Sequence, residues 1–136
     1  MADKVLVVDD EADFCRLMVL HLKRRGYDAI GVSDPNEGVK IVENAGKGVF
    51  GVVVTDWMMP HMSGNALITK IHEVDPNVVP IAITAVEQMG KVAVLGYGAI
   101  EYLVKPLDHM RQLSEAVERA MELHDSRSEP KKRRFF

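Results

Sequence analysis

Three aspartates, a threonine and a lysine stand where the apolar runs of this chain end. Val5-Leu6-Val7-Val8 leads into Asp9-Asp10-Glu11, Gly51-Val52-Val53-Val54-Thr55 into Asp56, Val79–Ile83 into Thr84, and Ile100–Val104 into Lys105-Pro106. Carboxylates brought together repel: a pair about 4 Å apart costs roughly 1 kcal/mol in water and about 4 kcal/mol at an effective dielectric of 20. A divalent cation with oxygen ligands offsets that cost, and Mg²⁺ suits a site of few carboxylates and several waters. Lys105 adds a positive point charge and Thr84 a hydroxyl donor. This inventory suits phosphoryl transfer to a carboxylate, in which the cations neutralise the equatorial oxygens while one aspartate attacks. Asp56 is the best nucleophile candidate because it stands alone at its strand end, leaving Asp9 and Asp10 as metal ligands. Singly, each residue has a plainer reading: a capping or turn aspartate, a packed strand-end threonine, a solvated surface lysine. On four strand ends of one sheet the coincidence is hard to sustain.

The elements that must position these residues alternate between two periods. β-branched runs without polar alternation, as in Val5–Val8 and Gly51–Thr55, fit strands buried on both faces of a parallel sheet. Further strands are expected at Asp28–Val32, Val79–Ile83 and Ile100–Val104. Helices are expected from Glu11 to Arg25, from the Ser33-Asp34-Pro35 start to Gly46-Lys47-Gly48, from Gly64 to Val74, between Glu87 and Leu95, and from beyond Pro106 to about His124. The Asp34-Pro35 pair places a capping residue before a proline in the first turn. Leu113, Val117, Ala120 and Met121 form the apolar stripe of the last helix. Five strands alternating with five helices predict an α/β, doubly wound, five-stranded parallel sheet with helices on both faces. In such sheets ligands bind outside the carboxyl ends of the strands, where strand order reverses. If strands one and three are neighbours, Asp9, Asp10 and Asp56 converge there.

Bulk properties narrow the classes further. The chain has 136 residues, 47% hydrophobic and 27% charged, enough for one domain that needs no staples. Cys15 is the single cysteine, which excludes an internal disulfide or a cysteine-rich zinc site. No secretory leader is expected from Met1-Ala2-Asp3-Lys4, and no apolar run approaches the roughly 20 residues that span a bilayer. The expectation is a cytoplasmic protein. Residues 125–136 carry five basic and two acidic side chains, a local +3, so the net charge of −3 leaves −6 on residues 1–124. The tail reads as a solvated segment or the start of a linker rather than a nucleic-acid patch.

The motifs in order, Val7-Val8-Asp9-Asp10-Glu11, Thr55-Asp56-Trp57-Met58-Met59-Pro60 with Gly64, Thr84-Ala85, and Gly98-Ala99 leading into Tyr102-Leu103-Val104-Lys105-Pro106, resemble the receiver domain of two-component response regulators. The resemblance covers about residues 3–124. It implies the flavodoxin-like strand order 2-1-3-4-5. It also implies Asp56 as phosphoacceptor, Asp9 and Asp10 as the acidic pair for Mg²⁺ (or Mn²⁺), and the Met58 backbone carbonyl as a further ligand. Thr84 and Lys105 would bind the phosphoryl oxygens, Tyr102 would be the aromatic switch, and the Lys105–Pro106 peptide would be cis. The implied donor is a histidine kinase or histidine phosphotransfer protein. The implied output is a changed helix four, strand five and helix five face that controls a downstream effector. Such a domain is not a turnover enzyme, although it takes part in its own phosphoryl transfer and dephosphorylation.

Two competing readings lack their residues. A phosphohydrolase of the haloacid dehalogenase type needs a second acid two residues after the nucleophile, where Met58 stands. A flavin-binding module needs a phosphate-cradling loop after strand one, where Asp9-Asp10-Glu11-Ala12-Asp13 would repel phosphate. A pseudo-receiver is disfavoured by the complete acidic set. Met58 and Val86, each two residues beyond a site residue, cannot orient a hydrolytic water, so slow phosphate loss is expected. In the first helix Phe14, Cys15, Leu17, Met18, Val19, Leu20 and Leu22 make an apolar arc wider than one core stripe. Either Cys15, Val19 and their neighbours dock a phosphodonor or the helix is wedged more deeply into the fold than usual, and the docking surface implied by the resemblance favours the first. Trp57, beside the site, is either exposed as a fluorescence reporter of Mg²⁺ binding or packed in the core, and the five histidines are expected to be mostly solvated. Gly90, Gly96 and Gly98 crowd the fourth helix region and predict an atypical output face.

Overall fold

The computed structural model describes residues 3–85, 99, 101–105, 107 and 109–128. In chain order these form β1 (Lys4–Val8), α1 (Ala12–Arg24), β2 (Asp28–Val32), α2 (Pro35–Ala45), β3 (Phe50–Asp56), α3 (Gly64–Val74), β4 (Val79–Thr84), β5 (Glu101–Val104) and α4 (Arg111–Ser128). The helix expected between Glu87 and Leu95, with Val86, Gly90, Gly96 and Gly98, lies outside the described residues, as do Pro106 and residues 129–136. Thus α4 is the last helix of the sequence reading.

All four ladders are parallel, in the order β2-β1-β3-β4-β5. Alternation along the strands divides the core between two layers. Val5, Val7, Val52, Val54, Ile81 and Ile83 pack with Met18 and Leu22 of α1 and with Leu113, Val117 and Ala120 of α4. Leu6, Val8 and Val53 face the other way, onto Val42 of α2 and Leu67 and Ile71 of α3. Every residue of β3 is buried, which accounts for its unbroken apolar run.

Local signals set most helix ends. Asp34 accepts the Asn36 N–H at 2.9 Å with Pro35 next in line, and Ser63 accepts the Ala66 N–H at 3.1 Å. At α4 the helix runs on to Ser128, past the expected end at His124, because His124 is itself buried against the fold rather than fraying into water. Asp75, buried at the end of α3, accepts the Gly48 N–H at 2.9 Å and the Asn77 N–H at 3.1 Å. This carboxylate ties the turn before β3 to the turn before β4.

The histidines depart from the expectation of solvated side chains. His21 Nε2 lies 3.0 Å from Ser114 Oγ across α1 and α4, and His72 Nε2 lies 2.8 Å from the Val78 carbonyl. His61 and His109 are exposed as expected. Amphipathic rings were satisfied locally by neighbours that periodicity does not reveal.

Candidate functional site

Register places the polar strand ends side by side. Val8 pairs with Thr55, so Asp9 and Asp56 are the next residues of adjacent strands. Asp56 in turn pairs with Ile83, and Thr84 with Val104, so Thr84 and Lys105 follow at the same edge. Asp9, Asp10 and Asp56 each present a carboxylate oxygen within 4.8 Å of the others. Asp9 is fully buried and Asp56 nearly so, whereas Asp10 is exposed.

The Lys105 side chain is only 9% exposed and threads into this cluster. Its Nζ lies 2.8 Å from Asp9 Oδ2, 2.8 Å from Glu11 Oε1 and 3.4 Å from Asp56 Oδ2, with the Phe14 ring centroid 4.9 Å away. The approach to Asp9 Oδ2 is an ion pair without hydrogen-bond alignment, so that buried oxygen has no hydrogen-bond partner. Backbone groups hold the remaining oxygens: Asp9 Oδ1 accepts the Glu11 N–H at 2.8 Å, and Asp56 Oδ1 the Met58 N–H at 3.3 Å.

Electrostatics follow from burial opposed by the lysine. Burial raises the Asp9 carboxyl, and Lys105 and the Glu11 N–H pull against it. Burial, with the neighbouring Asp9 charge, pushes Asp56 up to about 6 despite Lys105. For Lys105 burial works against the ammonium, but its contacts with Asp9 and Glu11 win and hold it above the usual lysine range. At an effective dielectric of 20, carboxylates at this spacing repel by roughly 3 kcal/mol a pair, and the single Lys105 charge leaves the Asp9, Asp10, Asp56 and Glu11 carboxylates in excess. The residues therefore fit a hard divalent cation: converging oxygen donors, one of them buried and without a hydrogen bond, as Mg²⁺ prefers.

Of the other expected site residues, Thr84 is fully buried at the end of β4, and its carbonyl accepts the Lys105 N–H at 2.7 Å. Tyr102 pairs with Ala82 and is half-buried against a small cluster of Trp57, Ile68, Ala82 and Ala99. Met58 has an exposed side chain. Of the two readings of Trp57, core packing holds: it is 3% accessible, because the turn after Asp56 folds its ring inward beneath α3. Glu11, which has no role by its place in the sequence, and Phe14, noted there only within the apolar arc of the first helix, are brought to the site by their reach to Lys105. A residue separation of 94 hides that contact from any local pattern.

Gly64 closes the loop. Its N–H donates to the Trp57 carbonyl at 2.9 Å, and a Cβ here would lie 2.8 Å from Trp57 Cε3 and 2.9 Å from the Asp56 carbonyl oxygen. Gly64→Ala is expected to lower stability by about 1–3 kcal/mol and to alter Trp57 fluorescence. Urea unfolding and emission spectra check this; wild-type behaviour in both would mean that the loop yields without cost.

Comparison with known proteins adds independent information. A family model described as the response regulator receiver domain matches residues 5–118. Response regulator ArlR of Staphylococcus saprophyticus is 30% identical over 105 residues, covering 77% of this chain and 46% of that protein. A response regulator receiver domain protein from Clostridium thermocellum superposes with a TM-score of 0.78 at 31% identity, covering 90% of this chain and 95% of that one. Response regulator protein TrrA from Thermotoga maritima, solved in complex with Mg(2+)-BeF, gives 0.74 at 27% identity, over 88% of this chain and 99% of that one. The chain spans less than half the length of the curated relatives first matched, 46% of one and 23% of another.

Proposed function

The chain belongs to the response regulator receiver domain family, and from that premise we propose that it is a phosphorylation-dependent signalling switch with Asp56 as its phosphoacceptor. One observation carries the reading: Asp56 ends the central strand β3, nearly buried, between the Asp9 and Asp10 carboxylates and the Lys105 ammonium. Asp56 is the carboxylate that offers an oxygen to phosphorus. A new P–O bond forms to Asp56 as the bond to the donor's nitrogen or oxygen breaks, and the donor leaves with that electron pair. Lys105 meets the charge on the phosphoryl oxygens, and Thr84, at the same edge, donates its hydroxyl to one of them. Asp9, Asp10, Asp56 and the Met58 carbonyl would hold Mg²⁺ (or Mn²⁺), which when bound supplies further positive charge against the phosphoryl group.

The readout follows from what is packed behind the site. Thr84 moving toward the phosphoryl group alters the space beside β4, and Tyr102, already against Trp57 and Ala82, is placed to respond. The changed face, built on β5, α4 and the helix expected from the sequence before β5, controls a downstream effector. The donor is a histidine kinase or histidine phosphotransfer protein docking on α1. Support for that face comes from Leu17 and Leu20, 55% and 46% exposed, beside a groove lined by Cys15, Arg16, Val19, Leu20, Lys23 and Gly31. Cys15 is buried and Val19 half-buried, so the leucines rather than those two form the exposed crest. Residues 1–124 would act as the receiver, in the cytoplasm, and 125–136 as a basic tail or linker start. Among the described residues no helix is long and apolar enough to cross a membrane.

The test is covalent labelling of the intact protein by a small phosphodonor, one phosphoryl group per chain with Mg²⁺ and none with chelator. Labelling without metal dependence, or at another residue, would overturn the assignment. Once formed, the phosphoryl group should be lost slowly, because the Met58 thioether cannot orient water. A lifetime of minutes or longer is the expected result of a chase after donor removal; a lifetime of seconds would exclude this account of Met58.

A further inference from the structure

Glu11 stands in an unusual relation to the site. It is the residue before α1 but makes no side-chain cap to that helix. Its side chain, 64% exposed, instead reaches across to Lys105 at 2.8 Å. On the near side Phe14, one turn further on, places its ring 4.9 Å from the same ammonium. Lys105 is thus gripped by Glu11 and Phe14 at the mouth of the pocket and by Asp9 in its floor, while its contact with Asp56 is the longest of its ion pairs, at 3.4 Å.

We propose that Glu11, backed by Phe14, is a positioning residue that holds Lys105 at the pocket mouth in the unphosphorylated state and competes with an incoming phosphoryl group for it. The inference rests on Asp56 being the phosphoacceptor and names a residue that tunes how readily that site is loaded. An arriving phosphoryl group must draw the ammonium away from Glu11 and is also repelled by the Glu11 carboxylate. Both effects burden the bound donor and the transition state alike. They therefore act on the half-saturating donor concentration rather than on the maximal rate. Because Glu11 is exposed, its hold is modest and screened by salt: an exposed ion pair is worth up to about 1 kcal/mol, a factor of roughly five, and the Debye length shrinks to about 3 Å at 1 M salt.

The experiment compares wild type, Glu11→Gln and Phe14→Leu in two arms. In metal-free protein, nitrogen NMR of the Lys105 ammonium reads the grip directly, with no phosphoryl chemistry involved. A slowly exchanging ammonium in wild type that exchanges faster in Glu11→Gln, and to a smaller degree in Phe14→Leu, is expected. At saturating Mg²⁺, labelling by acetyl phosphate should then show half-saturation lowered roughly threefold to fivefold in Glu11→Gln, with the maximal rate unchanged. The difference should vanish near 1 M salt. Identical ammonium exchange in wild type and Glu11→Gln would overturn the proposal. So would a grip visible by NMR with no change in half-saturation, or a salt-independent loss of maximal rate, which marks a merely structural role. Failure of wild type to be labelled at Asp56 would instead defeat the phosphoacceptor assignment, while the NMR arm still reports on Glu11.

Discussion

Asp56→Asn is expected to abolish covalent labelling by a phosphodonor, a loss of roughly a thousandfold or more, which corresponds to about 4 kcal/mol or more of barrier. The amide oxygen of asparagine is neutral and cannot yield an acyl phosphate, so no rearrangement of the surrounding residues replaces the nucleophile. The fold should tolerate the change. Burial has already pushed the Asp56 carboxyl up to about 6, so its ionised form is held at a cost, and asparagine keeps an oxygen to accept the Met58 N–H. Intact-mass measurement after exposure to donor and Mg²⁺, with circular dichroism as the control for folding, checks both parts. Equal labelling of the two proteins would remove Asp56 from the mechanism.

Lys105→Met is expected to lower the stability of the metal-free protein by about 3 kcal/mol, with Mg²⁺ recovering most of the loss. Methionine fills much of the lysine stem's volume, so the change isolates the charge. Without the ammonium, Asp9 and Asp56 are left facing each other in a site where Asp9 is fully buried. Breaking a buried pair by removing one partner strands the other, and here one cation serves two buried acids as well as Glu11. A divalent ion on the Asp9, Asp10 and Asp56 oxygens supplies the missing positive charge. Urea unfolding with chelator and with Mg²⁺ measures both halves of the claim. An unchanged midpoint in chelator would mean that solvent already neutralises the cluster.

Much of the site was legible because parallel sheets concentrate polar residues at strand ends, and the chain marks those ends sharply. Asp56 is the clearest case: five apolar or β-branched residues run straight into it. The helix start at Asp34 was legible for a local reason, a side chain capping its own next turn, whereas the equivalent cap at Ser63 emerged only in the structure. What stayed open were judgements that depend on which way a broad surface faces. Trp57 follows an acidic site residue, where exposure and core packing both fit the sequence, and the tight approach of Gly64 turns its ring into the core. On α1, successive residues step about 100° around the axis, and the wide apolar arc left open whether Cys15 or Leu17 faces water. The absence of a side chain at Gly31 decides it, since a Cβ there would lie 2.8 Å from Cys15 Sγ, so Cys15 sits against β2 and Leu17 and Leu20 are left outside.

The elements and the types of residue at their ends follow from local sequence, since periodicity, capping and turn chemistry act over a few residues. It took the folded chain to bring Lys105 into the grip of Glu11 and Phe14 as well as of Asp9 and Asp56, and to let Asp75 tie two turns together. Those contacts join residues 27 to 96 positions apart. They depend on strand register and side-chain reach, which no short window of sequence encodes.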